Sequence, residues 1–391
     1  MTALAVGLTL LATACTPGPG PSPTGPTAAG TPVPTPPAAS VRLSQVSLAR
    51  THDVLQALTD RSGPDDPRYY ADQVWHDGTP DCFRCSVGPA VLAAAYGVRA
   101  DDAGYRDRAV ESLDRAISQH QGGDGSFGPA GPGEDGPALQ TVLTANALAS
   151  TYLILGADLD PDHRARWSAA IAGAADYLIS HGAPEFYVNG NINLSVSMNL
   201  DLAHRITGQD RFAAAAARSL TFTLSPPQDK WPGFGLTYAH QPQRADGSDG
   251  SAYLAESGGG EPGFDPAYTL YQTDIASLWF VLTGDKTAQR LTNLLYNQLT
   301  PRARTTDWTV DVGGGTRRAP AGVRYGFLVS ALPALALRGG RTDLGELVTA
   351  QHEQALTEAM ANTTYANPGN SNTFGAELAP AVWVVTSAPG W

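Results

Sequence analysis

The stretch GGGEPGFDPAYTLYQTD, residues 258–274, brings two phenols and an acid to what reads as the start of a helix. Asp265 and Pro266 are residue types favoured at a helix N-cap and at the first helical position. Tyr268 and Tyr271 would then share one face, because residues three apart are neighbours on a helix surface. Tyrosine hydroxyls can transfer protons in catalysis. The stretch predicts either a proton-transfer site at a helix mouth or a capped helix whose tyrosines pack in the core.

The segment before this helix is a long insertion, residues 225–265, with an unusual share of aromatic residues. They are Trp231, Phe234, Tyr238, His240, Tyr253 and Phe264. A loop of this length in a compact domain is usually functional or disordered, and this one is too aromatic for plain disorder. Aromatic rings offer flat apolar faces on which the C–H faces of sugars stack. We therefore predict an ordered segment that forms a cleft for carbohydrate, the alternative being a mobile insertion.

Three asparagines precede the insertion, in EFYVNGNINLSVSMNLDLAH at 185–204. Asn189 and Gly190 favour a turn, and Asn191 can cap the helix that follows. Asn193 falls near the N-terminus of that helix, where backbone N–H groups and the helix dipole favour an anion. These asparagines either hold an acidic group of a ligand or serve only as turn and cap residues.

The elements that must position these side chains are helices. From Arg42 onward apolar residues recur at helical spacing, as in Val110, Leu113 and Ile117. No segment shows a convincing alternation of β-branched residues. The predicted fold class is all-α.

A helical hairpin recurs along the chain, in LDLAHRITGQDRFAAAAARSL near 201–220, IASLWFVLTGDKTAQRLTNLL at 275–295 and, more loosely, at 93–113. Gly208 and Gly284 stand where a left-handed C-cap is needed, and Asp210 or Asp285 favours the next N-terminus. Repeated hairpins build either a solenoid or a ring. The irregular period and the long, unequal loops favour an α/α toroid, an incomplete barrel of helical hairpins over 42–391, whose loops at one end form a cleft.

In these Leu-Thr-Gly-Asp hairpins and in the loop QGGDGSFG at 121–128, the chain resembles the α/α-toroid enzymes. These include polysaccharide lyases of the alginate, hyaluronan and heparin type, several glycoside hydrolases and terpene cyclases. The resemblance covers most of 45–360 as architecture. It implies an enzyme that cleaves a uronic-acid-containing glycan by β-elimination. In that reaction an Asn, Gln or Arg neutralises the substrate carboxylate, a His or Tyr removes the C5 proton, and a Tyr protonates the departing O4.

On this resemblance the catalytic residues are Asn193, His240 and Tyr268. The implied substrate-binding residues are Asn191, Trp231, Arg244, Tyr253, Tyr271 and Arg324, with Arg317 and Arg318 as further sources of positive charge. The adjacent Asn-His pair common in alginate-type lyases is absent.

Two other functions fit the same fold. One is a glycoside hydrolase that uses a pair of carboxylates from Asp124, Glu256, Glu261 and Asp265. The other is a non-catalytic surface protein that binds glycans in the aromatic cleft. Fold alone does not decide among these functions.

The N-terminal segment MTALAVGLTLLATA, residues 1–14, is apolar, too short to span a bilayer, and ends in small residues before Cys15. It resembles the signal peptide of a bacterial lipoprotein, which implies lipidation of Cys15 and a location at the cell surface; the alternative is an uncleaved apolar end. Residues 15–41 are rich in Pro, Gly and Thr and predict an extended tether. A lipid on Cys15 would be the protein's only link to a membrane.

The remaining cysteines, Cys82 and Cys85, lie three residues apart in DCFRC. An exported protein meets an oxidising compartment, which favours a local disulfide. A zinc site would need a second pair of ligands, and only His76 lies near.

Composition limits the possible partners. The 391 residues carry a formal net charge of −12, whereas nucleic-acid binding needs a basic surface. Gly123-x-Gly125-x-x-Gly128 matches a dinucleotide motif but follows a helix, so it predicts a turn. No phosphate-binding loop or complete metal motif is present. We therefore predict no cofactor and no metal, and an anionic polysaccharide as the partner.

Overall fold

The structure is a computed structural model. It describes residues 38–61, 87–128, 136–225, 235–257, 262–316, 318–326, 331–362 and 378–388. Most of these residues are helical, and the helices pack as an α/α toroid. The predicted fold class is confirmed. The predictions on Cys15, Cys82, Cys85, Trp231 and the side chain of Arg324 concern parts outside the described residues.

The helices follow in chain order as α1 Ala38–Arg61, α2 Gly88–Arg99, α3 Ala103–His120, α4 Gly136–Leu155, α5 Pro161–Ser180, α6 Gly190–Thr207, α7 Asp210–Leu224, α8 Pro266–Thr283, α9 Lys286–Leu299, α10 Ala331–Pro333, α11 Gly345–Asn362 and α12 Ala379–Ser387. A π-helical turn, Ala334–Arg338, extends α10. Short 3-10 helices include Ala183–Glu185 before α6.

Burial divides these helices into an inner and an outer layer. Outer helix α3 buries one stripe that includes Tyr105, Ala109, Leu113 and Ala116. Inner helix α2 buries every residue from Gly88 to Gly97. A helix with one apolar stripe needs neighbours on one side, whereas a helix buried on all sides must lie inside the fold. The alternation of the two kinds along the chain therefore produces two concentric layers.

The inner layer forms a continuous ring. α2 packs on α4, α4 on α6, α6 on α8, α8 on α10 with its π-helical turn, that turn on α12, and α12 on α2. Each inner helix is backed by an outer one, as α8 is by α9 and α6 by α7. α1 packs against α11 and α12, so the first described helix is the outer partner of the last.

The repeated Thr-Gly junctions have the same geometry in both copies. Gly208 and Gly284 are left-handed, with φ of 69° and 71°. The hydroxyls of Thr207 and Thr283 donate to the carbonyl four residues earlier, at 2.7 and 2.6 Å. Asp285 caps α9 by accepting from two backbone N–H groups. The hairpin repeat predicted from sequence is therefore a repeat of hydrogen bonds as well.

The loop QGGDGSFG is a turn that ties three helices together. Gln121 donates from Nε2 to the Ala170 carbonyl on α5 at 2.8 Å. The buried Phe127 donates its backbone N–H to Thr141 on α4 at 2.9 Å. Gly125 lies so close to α5 that an added Cβ would be 2.1 Å from the Gly173 carbonyl oxygen. The glycines serve this close approach, which agrees with the prediction that the dinucleotide-like motif is a turn.

The connections between layers differ at the two ends of the ring. Connections that leave inner helices are short, such as 208–209 and 284–285. Connections that enter inner helices are long and include 121–135, 181–189 and 225–265. Since successive helices reverse direction, the long connections gather at the end where α4, α6 and α8 begin. We call this end the mouth.

The long connections also contain short antiparallel strands that the sequence analysis missed. β1 Leu236–His240 pairs with β2 Ser251–Leu254. β3 Ala303–Arg304, β4 Thr309–Asp311 and β5 Arg324–Gly326 form a second sheet in that order. Within the described residues, no helix has both the length and the apolar character needed to cross a membrane.

Candidate functional site at the mouth

The start of α8 is organised by Asp265, as predicted. Its carboxylate accepts a hydrogen bond from the Tyr268 backbone N–H at 3.1 Å and one from the Thr316 hydroxyl at 3.3 Å. Pro266 occupies the first helical position. Asp265 is only 2% exposed. Its carboxylate is therefore a buried cap that joins α8 to the connection between α9 and α10.

Tyr268 and Tyr271 lie on the one partly exposed face of α8 near the mouth. Their ring centroids are 5.7 Å apart, with the planes tilted by 58°. Ile275, one turn further, is also partly exposed, whereas most other residues of this helix are buried. Because α8 belongs to the inner ring, this face opens towards the interior of the mouth. The prediction that both phenols share a face is correct.

Aromatic rings and a guanidinium group lie beside the start of α8. Phe264 is 5.2 Å from Tyr253, measured between ring centroids. The Arg302 guanidinium carbon lies 5.3 Å from the Phe264 ring, within cation–π range. Arg302 also donates to the carbonyls of Asp311 and Gly313 at 3.3 and 3.1 Å. These contacts place apolar surface and a positive charge next to each other at the mouth.

Glu256 holds the N-terminus of α6 against α8. Its Oε1 accepts from the Asn191 backbone N–H at 2.8 Å and from the Gln272 side chain at 2.9 Å. Gln272 also exchanges two hydrogen bonds with the backbone of Leu254, at 3.2 and 3.0 Å. At Gly190 an added Cβ would lie 2.4 Å from the Leu254 Cβ, so only glycine fits. A carboxylate at a helix N-terminus is favourable, and Glu256 thus caps α6 from 65 residues away.

The predicted catalytic Asn193 does not face the mouth. It is fully buried, and its Nδ2 donates to the Tyr187 carbonyl at 2.8 Å. A side chain without exposed surface cannot contact a sugar in this conformation, so the prediction needs correction. Asn191 is only partly buried, although its Oδ1 is itself buried and, like the Oδ1 of Asn193, has no hydrogen-bond partner among the described residues. Asn191 is therefore the better placed of the two amides.

His240 and Arg244 lie on a hairpin that runs along α9. His240 is exposed on β1, and its Nδ1 is 3.0 Å from the Ser251 hydroxyl. Arg290 of α9 donates to the carbonyls of Arg244 and Ala245 at 3.3 and 2.8 Å. The middle of the insertion is thus ordered but covers an outer helix.

Tyr268 and Tyr271 lie in the first turns of α8, and Asn191 lies at the start of α6, which Glu256 and Gln272 join to α8. Tyr253, on the same hairpin as His240, contacts Phe264 just before α8. The contacts of His240 and Arg244 lead instead to Ser251 and to α9.

Sequence reasoning overlooked Asp274. It lies on α8 three residues after Tyr271, is 2% exposed, and sits one turn further from the mouth. The signal was present, because Asp274 is the only charged residue in the otherwise uncharged helix Pro266–Thr283. Gln272, which holds Glu256, was also missed.

The described carboxylates that were considered for a hydrolase are engaged in structural hydrogen bonds. Glu256 and Asp265 act as caps, and Glu261 lies outside the described residues. Asp124 is exposed in the QGGDGSFG turn, where hydrogen bonds from the Ser126 hydroxyl and backbone hold its pKa below the ordinary range. A lowered pKa is the reverse of what a general acid needs. Within the described ranges, no three His, Cys, Asp or Glu side chains approach closely enough to hold a metal ion.

The sequence matches no protein-family model and no curated protein. Among solved structures, an unsaturated glucuronyl hydrolase from Streptococcus agalactiae is similar, with a TM-score of 0.49, 12% identity, and coverage of 90% of this chain and 93% of the hydrolase. A D-mannose isomerase is similar with a TM-score of 0.48, 13% identity, and coverage of 83% and 88%. A polysaccharide lyase gives a TM-score of 0.33 at 9% identity, with coverage of 81% of this chain and 53% of the lyase. All three names belong to enzymes that act on carbohydrates.

Proposed function

We propose that this protein is a polysaccharide lyase that cleaves a uronic-acid-containing glycan by β-elimination. The observation that carries the proposal is the pair Tyr268 and Tyr271, two neighbouring phenols on the single partly exposed face of α8 at the mouth. Arg302 and the ring of Phe264 lie beside the start of the same helix, which suits a sugar that carries a carboxylate.

In the proposed reaction one tyrosine, as the phenolate, takes the C5 proton of the uronate. The C5–H electrons form the C4=C5 double bond, the C4–O4 bond breaks, and a tyrosine hydroxyl protonates O4. Tyr268 and Tyr271 are the candidates for these two transfers, and His240 takes no part in them. The Asn191 amide would hydrogen-bond the substrate carboxylate and stabilise the charge that develops on it. The products gain no water, because a proton lost from carbon balances the proton gained by oxygen.

The test is a product analysis. The purified protein is incubated with alginate, hyaluronan, heparin and a neutral glucan, and ultraviolet absorbance and mass spectrometry follow the products. A lyase gives an unsaturated product of unchanged total mass from a uronate polymer and none from the glucan. Products that are heavier by one water and lack a new double bond would contradict the lyase and show that the enzyme is a hydrolase. If no polymer gave a product, both enzymes would be contradicted and the non-catalytic glycan-binding protein would be the remaining function.

A hydrolase is the second candidate, and Asp274 is the observation that favours it. A glycoside hydrolase needs a carboxylic acid that protonates the departing oxygen, and Asp274 carries a carboxyl group on the same helix as the tyrosine pair. It also adjoins Tyr271 on an inner helix. Asp274→Asn would abolish hydrolysis while leaving the charge of the caps Glu256 and Asp265 unchanged. In a lyase the same substitution would alter turnover far less than Tyr268→Phe.

We further propose that the enzyme is exported and held at the cell surface by a lipid on Cys15. The apolar segment 1–14 and the Pro-rich segment 15–41 support this arrangement. A tethered domain would keep its mouth in contact with external polysaccharide.

A further inference from the structure

Phe186 is the one large hydrophobic residue that is exposed among those the structure describes, with 59% of its surface accessible. It lies between the 3-10 helix Ala183–Glu185 and α6, in one of the long connections that gather at the mouth. Exposing an apolar ring to water is unfavourable. An exposed aromatic ring at the edge of a binding cleft is, however, suited to stacking on a ligand.

The ring of Phe186 contacts the ring of the next residue, and the segment around it is anchored to the fold. The Tyr187 ring meets it edge to face, with centroids 5.2 Å apart and planes at 88°. The Tyr187 carbonyl accepts the hydrogen bond from the fully buried Asn193 at 2.8 Å. On the other side of the segment, Ala183 and Pro184 are buried. A ring fixed in advance loses little conformational entropy when a ligand stacks on it.

A groove of about 420 Å³ lies next to this segment; Glu185, the residue before Phe186, lines it, whereas Phe186 itself does not. Glu185 lines one side, and Ala217, Arg218 and Thr221 of α7 are among the residues of the other. Its volume is in the range of small-ligand sites. Within the described part of the chain, the side chains of Glu185 and Arg218 form no ion pair or hydrogen bond with each other or with other residues. Both are exposed, so a carboxylate acceptor and a guanidinium donor face the groove.

We propose that Phe186, Glu185 and Arg218 form a second carbohydrate-binding position, the rim site, which takes one pyranose ring of an anionic glycan. The sugar ring stacks on Phe186, a uronate carboxylate pairs with Arg218, and hydroxyl groups donate to Glu185. This inference rests on the proposed function for the identity of the ligand. The rim site performs no chemistry; it holds a part of the glycan chain away from Tyr268 and Tyr271.

The test is affinity electrophoresis of the full chain in native gels cast with alginate, hyaluronan or soluble starch. Phe186→Ala should weaken retardation by roughly fivefold in the gels that retard the wild type. Arg218→Gln should weaken it in the anionic gels and leave any retardation by starch unchanged. Arg211→Gln is the matched control, because Arg211 lies on the same helix and outside the groove, where it pairs with Asp176. It should behave as the wild type.

Equal retardation of wild type and Phe186→Ala in every gel would overturn the rim site, and so would a wild type that no gel retards. The proposed function fails separately, because it is judged by soluble products. Retardation that depends on Phe186 without any product would support the rim site and contradict the enzyme. An unsaturated product together with retardation that does not depend on Phe186 would support the enzyme and contradict the rim site.

Discussion

At the scale of the residue, Tyr268 gives the most direct test of the chemistry. Phenylalanine keeps the ring and its packing against Tyr271 and removes only the hydroxyl. We expect Tyr268→Phe to lower kcat by about a hundredfold or more, because a positioned acid or base contributes on the order of 10²–10⁴ to the rate. KM should change far less, since proton transfer acts in the transition state. The measurement is steady-state kinetics on the polymer that gives an unsaturated product.

His240→Ala is the control for this experiment. His240 was predicted as one of the catalytic residues, but it lies on the hairpin along α9, so its removal should leave kcat within about twofold of the wild type. A large loss at His240 together with near-normal turnover of Tyr268→Phe would assign the role of the base to the histidine. The two tyrosines would then be packing residues behind the Asp265 cap.

His352 makes stability depend on pH. It is fully buried on α11, and its Nε2 is 2.8 Å from the Ser47 hydroxyl of α1. Burial, with a smaller contribution from the charge of Arg50, lowers the pKa of His352 from 6.5 to about 4. The unfolded chain therefore binds more protons between these values, and this contribution to stability is present above pH 6.5 and is lost as pH falls through 4. By pH 5 the loss should be about 2 kcal/mol.

Urea unfolding of wild type and His352→Gln at pH 7 and pH 5 measures this effect. Glutamine does not titrate, so the variant should lose about 2 kcal/mol less than the wild type between the two pH values. Other titrating groups contribute equally to both proteins and cancel in the difference. An identical pH dependence in both proteins would mean that His352 does not titrate on unfolding in this range.

At the scale of the element, the Thr-Gly junction between α8 and α9 depends on a left-handed residue. Gly284 has φ of 71° and makes room for the chain reversal. Gly284→Ala should destabilise the fold by about 1–2 kcal/mol, the cost of a left-handed conformation for a residue with a side chain. Gly208→Ala should behave alike, since nothing lies within 4 Å of the added Cβ and only the backbone conformation opposes it. Urea unfolding measures both.

Two glycines of the QGGDGSFG turn serve as controls for this prediction. Gly123 also has open space around an added Cβ, and its φ is not positive, so Gly123→Ala should cost almost nothing. Gly125→Ala should cost more than either junction variant, because the new Cβ would collide with the Gly173 carbonyl. If Gly123→Ala were as damaging as Gly284→Ala, the cost at the junctions would not come from backbone conformation.

The segment DCFRC remains a prediction of a local element. Exported protein, mapped by mass spectrometry without reductant, should yield a peptide in which Cys82 is joined to Cys85, because an oxidising compartment favours the bond. Protein kept in a reducing cytoplasm is the matched comparison and should yield both thiols free. Free thiols in the exported protein as well would contradict the disulfide.

At the scale of the whole molecule, the question is how the domain is held at the cell. If Cys15 carries a lipid, cells fed labelled palmitate should incorporate label into the wild type and not into Cys15→Ala. Cys82→Ala is the control, because it also removes one cysteine and lies beyond the tether, and it should label as the wild type does. Equal labelling of the wild type and Cys15→Ala would contradict the lipoprotein prediction.

The amino-acid sequence by itself determined the features whose causes are local. The helical class, the repeated Thr-Gly junctions and the Asp265 cap each depend on residues within about four positions of one another, and helix geometry brings such residues together wherever the helix lies. The same reasoning identified the face that Tyr268 and Tyr271 share. It missed the short strands, because strands of two to five residues are too short to show a clear alternation in the sequence.

Only the tertiary structure decided which candidates reach the mouth. Glu256 became a cap because folding brings it to the Asn191 N–H, 65 residues away, and Asn193 became a buried anchor for Tyr187. His240 was set on the outer hairpin by the contacts of that hairpin with α9. In the sequence, Asp274 is a single acidic residue in an apolar helix. Its place beside Tyr271 in the inner ring follows only from the position of α8 in the fold. Burial and exposure are set by packing between distant segments, and the spacing of residues along the chain does not contain that information.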